Sequence, residues 1–144
     1  MKLSNNWFTT VSETENGAMV IVCGRDDLEL YARSGKFKER VEIYWKYNGD
    51  SRGMPCESDA RVMEPVQDAL QKAMEKDKLA ILTGVYTGDN ERTWIFYTRN
   101  VPALSSFEKL PIVIYTEKDP DWNEYHEMYE LRQEEGSDDV LADE

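Results

Sequence analysis

Apolar and polar residues alternate with a period of two along ERVEIYWKYN, residues 39–48. Val41, Ile43, Trp45 and Tyr47 share one face and Glu42, Tyr44 and Lys46 the other, as in a half-buried strand. Ahead of it, NWFTTVSE and AMVIVCG flank TENG, in which Asn16-Gly17 supplies the positive φ angles of a tight hairpin. The second of these strands is apolar on both faces: Ala18, Val20 and Val22 on one, Met19, Ile21 and Cys23 on the other. That predicts a strand interior to the sheet. RDDLELYARSGKF reads as a polar connection. After GDSRGMP the period lengthens: Val62, Val66, Ala69, Leu70, Ala73 and Met74 fall on one stripe of a helix. Pro65 lies within it, so the regular helix is expected to begin near Val62 or to kink.

KLAILTGVYT and RTWIFYTRN predict two further strands around GDNE, with Gly88 and Asn90 to form the turn. VPALSSFEKL predicts a short helix or an ordered loop, and PIVIYTEK a last strand. In DPDWNEYHEMYEL, Asp119 is placed to cap a helix and Pro120 to open it, with Trp122, Tyr125 and Tyr129 on one face. The order is β-β-β-α-β-β-α-β-α. We expect an α+β domain: a ferredoxin-like βαββαβ sandwich with an extra N-terminal β-hairpin and a C-terminal helix. One domain is expected over residues 1–135, and a frayed acidic tail over 136–144.

Composition changes this picture mainly through charge. The chain has 144 residues and a formal charge of −12. Residues 117–144 hold 12 acids against 2 bases, and the rest 17 against 15. The acidity belongs to the C-terminal segment. It argues against nucleic acid as a partner, because nucleic-acid binding needs clustered Lys and Arg to displace counterions. It fits a solubilising tail or, as the sharper reading, a docking surface for a basic partner protein. No run approaches the ~18 apolar residues of a membrane helix, and MKLSNNWFTT has no signal-peptide core, so we expect a cytoplasmic protein without membrane attachment. Cys23 and Cys56 lie far apart without metal-ligand spacing and read as free structural thiols.

Candidate chemistry is sparse. His126 is the only histidine and reads as a surface residue at the edge of the last helix. There is no Cys/His cluster for a metal, no glycine loop for a phosphate and no nucleophile elbow, so no cofactor or metal is expected. The aromatics say more. Rings on the second face of the sheet, such as Tyr44 and Tyr97, would be left exposed, with Lys46, Arg92 and Arg99 nearby. Trp122, Tyr125 and Tyr129 read as a latch onto the sheet, and Glu124, Glu127 and Glu130 as its solvated back. The partner-binding residues we expect are Tyr44, Tyr97, Glu124, Glu127 and Glu130. They point to a protein-binding regulatory module for a basic protein or for self-association. The alternative is an enzyme, a hydrolase using carboxylates in a cleft beside the sheet.

RGMP before the long helix, LTG through WIFYT in the second hairpin and DPDWNEY near the end occur together, in this order. In this the chain resembles a bacterial family catalogued as domain of unknown function 695, over roughly Asn6 to Tyr129. The resemblance implies an α+β fold and brings no catalytic residues. Such domains are joined in some bacterial proteins to one resembling regulator of ribonuclease activity B, a small acidic inhibitor that binds ribonuclease E. A ribonuclease-regulator-like inhibitor is therefore a further alternative.

Overall fold

The computed structural model describes residues 5–15, 17–51, 53–75, 80–99 and 112–131. Six strands, β1 (Trp7–Glu13), β2 (Met19–Arg25), β3 (Glu39–Lys46), β4 (Ala80–Gly88), β5 (Glu91–Thr98) and β6 (Ile112–Lys118), form one open sheet in the order β1-β2-β4-β5-β3-β6. Every neighbouring pair is antiparallel. Three helices accompany it among the described residues: α1 (Glu29–Arg33), α2 (Glu57–Glu75) and α3 (123–131). The protein is thus an α+β fold. The expected element over 101–110 and the tail over 136–144 lie outside the described residues.

The two hairpins turn differently. Between β4 and β5, Asp89 and Asn90 both take positive φ (52° and 65°), as a two-residue turn with the right-handed strand twist requires. Between β1 and β2 the loop is longer. Thr14 N–H bonds Ala18 O, Gly17 N–H bonds Thr14 O (both 2.9 Å), and Gly17 takes φ +82°. The β2 strand is interior, between β1 and β4, as its two apolar faces predict.

The sheet has a core on each face. Against α2, Val41, Ile43, Tyr47, Met63, Leu82, Trp94 and Phe96 pack together. Against α1 and α3, Leu28, Phe37, Ile81, Ile95, Tyr97, Trp122, Tyr125 and Met128 do so. The segment expected to be a polar connection therefore carries a short helix, and its Leu28 is 0% exposed. Two apolar residues and Ala32 among the polar ones were enough to anchor it, since α3 covers them from above.

The stripe expected on α2 is rotated. Met63 is wholly buried, whereas Val62 is 53% exposed and Ala69 is exposed. Met63, Val66 and Gln67 follow the i, i+3, i+4 rule with the long methionine in the lead. The helix also starts earlier than expected, at Glu57, and runs through Pro65. Pro65 and Arg61, whose carbonyl loses its helical donor, are both exposed, so water can serve that oxygen.

One buried ion pair ties three elements together. Arg25 Nη1 donates to Glu75 Oε2 (2.8 Å) and to Leu82 O (3.1 Å), and the same Glu75 oxygen accepts Leu82 N–H (2.9 Å). It joins the end of β2, the end of α2 and the start of β4.

Candidate functional site

Helix α3 is seated by the four residues that precede it. Asp119 N–H bonds Lys38 O, and Trp122 N–H bonds Asp119 O (3.0 Å), so Pro120 and Asp121 occupy a turn. Pro120 therefore does not open the helix, which begins at 123. Asp119 still caps it from outside the turn: its carboxylate accepts the N–H groups of Asn123 (2.9 Å) and Glu124 (3.2 Å). Trp122 takes φ +56°, a left-handed conformation that places its ring inward. The ring is 0% exposed, stacks on Tyr97 with centroids 4.2 Å apart and donates Nε1–H to Phe37 O (2.8 Å). Tyr125 is buried and donates to Arg25 O (2.7 Å), and Tyr129, half-buried, donates to Asp26 Oδ1 (2.9 Å).

Beneath α3 the sheet has a dent. Gly24 of β2 and Gly84 of β4 are paired across the sheet. A Cβ on Gly84 would lie 2.6 Å from Met128 Sδ, and one on Gly24 2.2 Å from the Phe8 ring. Only glycine leaves room there for Phe8 and Met128.

Between α3 and the sheet runs a groove of about 530 Å³, lined by Glu42, Tyr44, Tyr86, Thr93, Ile95, Glu124, Glu127, Met128 and Leu131. Its polar groups are arranged in pairs. Tyr44 OH donates to Glu42 Oε1 (2.5 Å) and Tyr86 OH to Glu124 Oε1 (2.5 Å). Glu42 Oε2 also accepts Arg40 Nε (3.0 Å). Arg40 further donates to Asp119 Oδ2 (2.9 Å) and Glu117 Oε2 (2.7 Å), so one guanidinium faces three carboxylates. Tyr97 OH donates to Asp119 Oδ2 (2.6 Å).

These environments separate the carboxyls. Burial works to raise Asp119, but bonds from Tyr97, the Asn123 and Glu124 N–H groups and Arg40 outweigh it and hold the group below 3.8. Burial pushes Glu124 up to about 7; Tyr86 and Arg40 oppose this, and Glu42 and Asp119 add to it. Its Oε2 is shut from solvent and has no hydrogen-bond partner among the described residues. Burial first, and then the neighbouring carboxylate, raises both Tyr44 and Tyr86, so both phenols keep their protons.

Three of the five residues expected at a partner site therefore meet in one place: Tyr44, Glu124 and Glu127. Tyr97 is not among them. It is wholly buried under Trp122, because α3 covers the half of the sheet where it lies. Glu130 is exposed on α3 outside the groove. Glu124 is not part of a solvated back; it turns toward the sheet, where Tyr86 OH bonds it. Sequence reasoning missed Glu42 and Tyr86, and only the alternation of β3, which sets Glu42 beside Tyr44 on the face away from Val41 and Ile43, hinted at the first. His126 Nε2 lies 3.1 Å from Glu29 Oε2 and links α3 to α1. Arg99 sits over the Phe37 ring (4.9 Å), and Arg92 lines a pocket with Trp7 and Cys23, which packs in the α2-side core, so neither arginine joins Tyr44. Cys23 and Cys56 are both free. No group of metal-binding side chains occurs among the described residues, and no helix among them is long and apolar enough to cross a membrane.

The family of unknown function DUF695 matches residues 5–129. The chain belongs to this family. No curated protein and no solved structure matches it. The three stretches that carried the resemblance acquire physical roles in the fold. Gly84 of LTG makes room for Met128, Tyr97 of WIFYT stacks on Trp122 of DPDWNEY, and Asp119 of DPDWNEY accepts from Tyr97. Gly53 of RGMP, at φ +77°, packs against the β4–β5 turn, where its carbonyl accepts Asn90 N–H (2.9 Å) and Tyr47 OH (2.7 Å). The DUF695 motifs are thus read as the seat of α3 and the brace of the second hairpin.

Proposed function

We propose that this DUF695 chain is a regulatory interaction module that receives a basic segment of a partner protein in the groove between α3 and the sheet. One observation carries the reading: the groove's hydroxyl hydrogens on Tyr44 and Tyr86 are already given to Glu42 and Glu124. What they present outward is lone pairs, with Glu127 exposed beside them. A lysine or arginine side chain is the complement, since it has donors and no acceptor, and its methylene stem suits Ile95, Met128 and Leu131. Self-association through this face is the weaker form of the idea, because it would oppose two sets of acids in a chain of charge −12. A ribonuclease-regulator-like inhibitor would be a special case in which the basic partner is a ribonuclease. A cytoplasmic location accords with such a partner. For the fold we propose the ferredoxin-like assignment over β3–β6, supported by the strand order β4-β5-β3-β6 and the hairpin between β4 and β5.

The test is titration of isotope-labelled protein with an acetylated, amidated Gly-Lys-Gly-Lys-Gly peptide at two salt concentrations. Shifts should centre on Tyr44, Tyr86 and Glu124, shrink at high salt, and vanish in Glu127→Lys. Shifts confined to another face would sink the proposal. A second reading, a hydrolase, draws support from the unlike settings of two carboxyls at the start of α3, Asp119 held low by Tyr97 and Arg40 and Glu124 near the pKa of a general acid. A hydrolytic activity lost in Glu124→Gln, without change in peptide binding, would favour it.

A further inference from the structure

On the opposite face of the sheet, a pocket of about 360 Å³ lies between α2 and strands β1, β2, β4 and β5, lined by Trp7, Cys23, Glu64, Gln67, Gln71, Val85, Thr87 and Arg92. Its chemistry is the reverse of the α3 groove. Arg25, Arg33, Arg40 and Arg61 each hold a carboxylate, and Arg99 covers the Phe37 ring. Arg92 differs from all of them: among the described residues its bond is Nε–H to the neutral Thr87 Oγ1 (3.0 Å), and no carboxylate lies within ion-pair distance. Its two terminal nitrogens, with four N–H donors, are left for something else. In a chain with 29 acids and 17 bases, a half-buried guanidinium without a carboxylate is not explained by a shortage of partners. Burial accordingly lowers its pKa, and the fields of Tyr47, Cys23 and Glu64 restore only part.

The neighbours favour the same kind of guest. Trp94 Nε1–H donates to Gln67 Oε1 (2.8 Å), which fixes that amide and leaves its NH₂ as a donor. Gln71 gives its Nε2–H to Glu75 (3.4 Å) and keeps its carbonyl as an acceptor. Trp7 and Val85 add apolar wall. We propose that this pocket is a binding site for a small carboxylate-bearing molecule, its carboxylate held by the Arg92 fork and the Gln67 amide, its apolar part against Trp7 and Val85. A planar fork matches a planar carboxylate in two parallel bonds. One positive charge, with exposed Glu64 at the pocket's edge, matches a monoanion and opposes a phosphate dianion. This site is separate from the α3 groove and does not depend on the function proposed for it.

The experiment follows the Arg92 Nε–H and Trp7 Nε1–H resonances of labelled protein during titration with acetate, benzoate and inorganic phosphate at constant ionic strength. Benzoate should shift both resonances saturably and more tightly than acetate, because only benzoate has a ring to lay on Trp7. Arg92→Met should weaken benzoate by at least ~10-fold, the scale of a lost charge-assisted bond. Its melting temperature should not fall, since it removes an unpaired, partly desolvated charge. Arg92→Lys keeps the charge without the fork and should bind at an intermediate level. The proposal is overturned if neither carboxylate gives a saturable shift at these two residues, if benzoate binds Arg92→Met as it binds wild type, or if phosphate binds more tightly than benzoate.

Discussion

Glu124 is held by two opposing demands. Tyr86 gives one of its oxygens a short bond, while the other is enclosed without a donor among the described residues. A carboxyl in that state prefers to keep its proton, and burial raises it from 4.5 to about 7. Because the folded pKa lies above the unfolded one, the folded state binds the proton more tightly. The associated stability is fully present below pH ~4.5 and is lost as pH rises through about 7, a loss of ~3 kcal/mol. Glu124→Gln keeps an acceptor for Tyr86 and cannot ionise. It is expected to be more stable than wild type at pH 8 and to approach wild type at pH 5, measured by urea denaturation at both. An equal difference at the two pH values would show that Glu124 does not titrate in this range. A bound ammonium group would supply the charge that the groove lacks, which is how the same residue serves the proposed docking.

Helix α3 is held less by helical propensity than by the four residues before it. Asp119 caps it, Pro120 and Asp121 turn the chain, and Trp122 drives its ring between Tyr97 and Tyr125 at the cost of a left-handed backbone. Two terms compete at Trp122, and they can be separated. Removing the ring opens a large cavity in the core, so Trp122→Ala should cost ~3–5 kcal/mol. Trp122→Gly opens the same cavity but relieves φ +56°, worth ~1 kcal/mol. The glycine variant is therefore expected to be the more stable of the two, the reverse of their usual order in helices. Denaturation of both variants checks it; an alanine variant that outlasts the glycine one would mean that this backbone conformation carries no strain.

Across the molecule the two faces of the sheet differ in what they offer. The α3 side presents acceptors and acids, and the α2 side an arginine with open donors. The charge of residues 117–144 adds a long-range field on top of these local contacts. Deleting 136–144 removes four acidic side chains and, as apolar groups, only Val140, Leu141 and Ala142. We expect it to change stability by less than ~0.5 kcal/mol. It should slow association with a lysine peptide and flatten the salt dependence of its rate, because distant charges steer encounter more than they hold the complex. Stopped-flow binding at two ionic strengths separates these; an unchanged salt slope would remove the tail from the mechanism.

The alternation in β3, the doubly apolar β2 and the turn residues Gly17 and Asn90 made the strands readable, because period and turn chemistry are local properties of the backbone. The resemblance through RGMP, LTG, WIFYT and DPDWNEY likewise needed no coordinates. Which face each helix covers was decided elsewhere. Val62 and Met63 are neighbours in the sequence, and only the packing of α2 on Trp94 and Leu82 selects Met63 for the core. Tyr44 and Tyr97 both lie on the face away from α2, yet one is half-exposed and the other wholly buried, because α3 crosses only half the sheet. The groove unites Glu42, Tyr86 and Glu124 from three separate elements, and Arg92 shows its open donors only once its would-be carboxylates are seen to lie elsewhere. Local sequence sets the elements and their turns; contacts between residues tens of positions apart set which side chains meet.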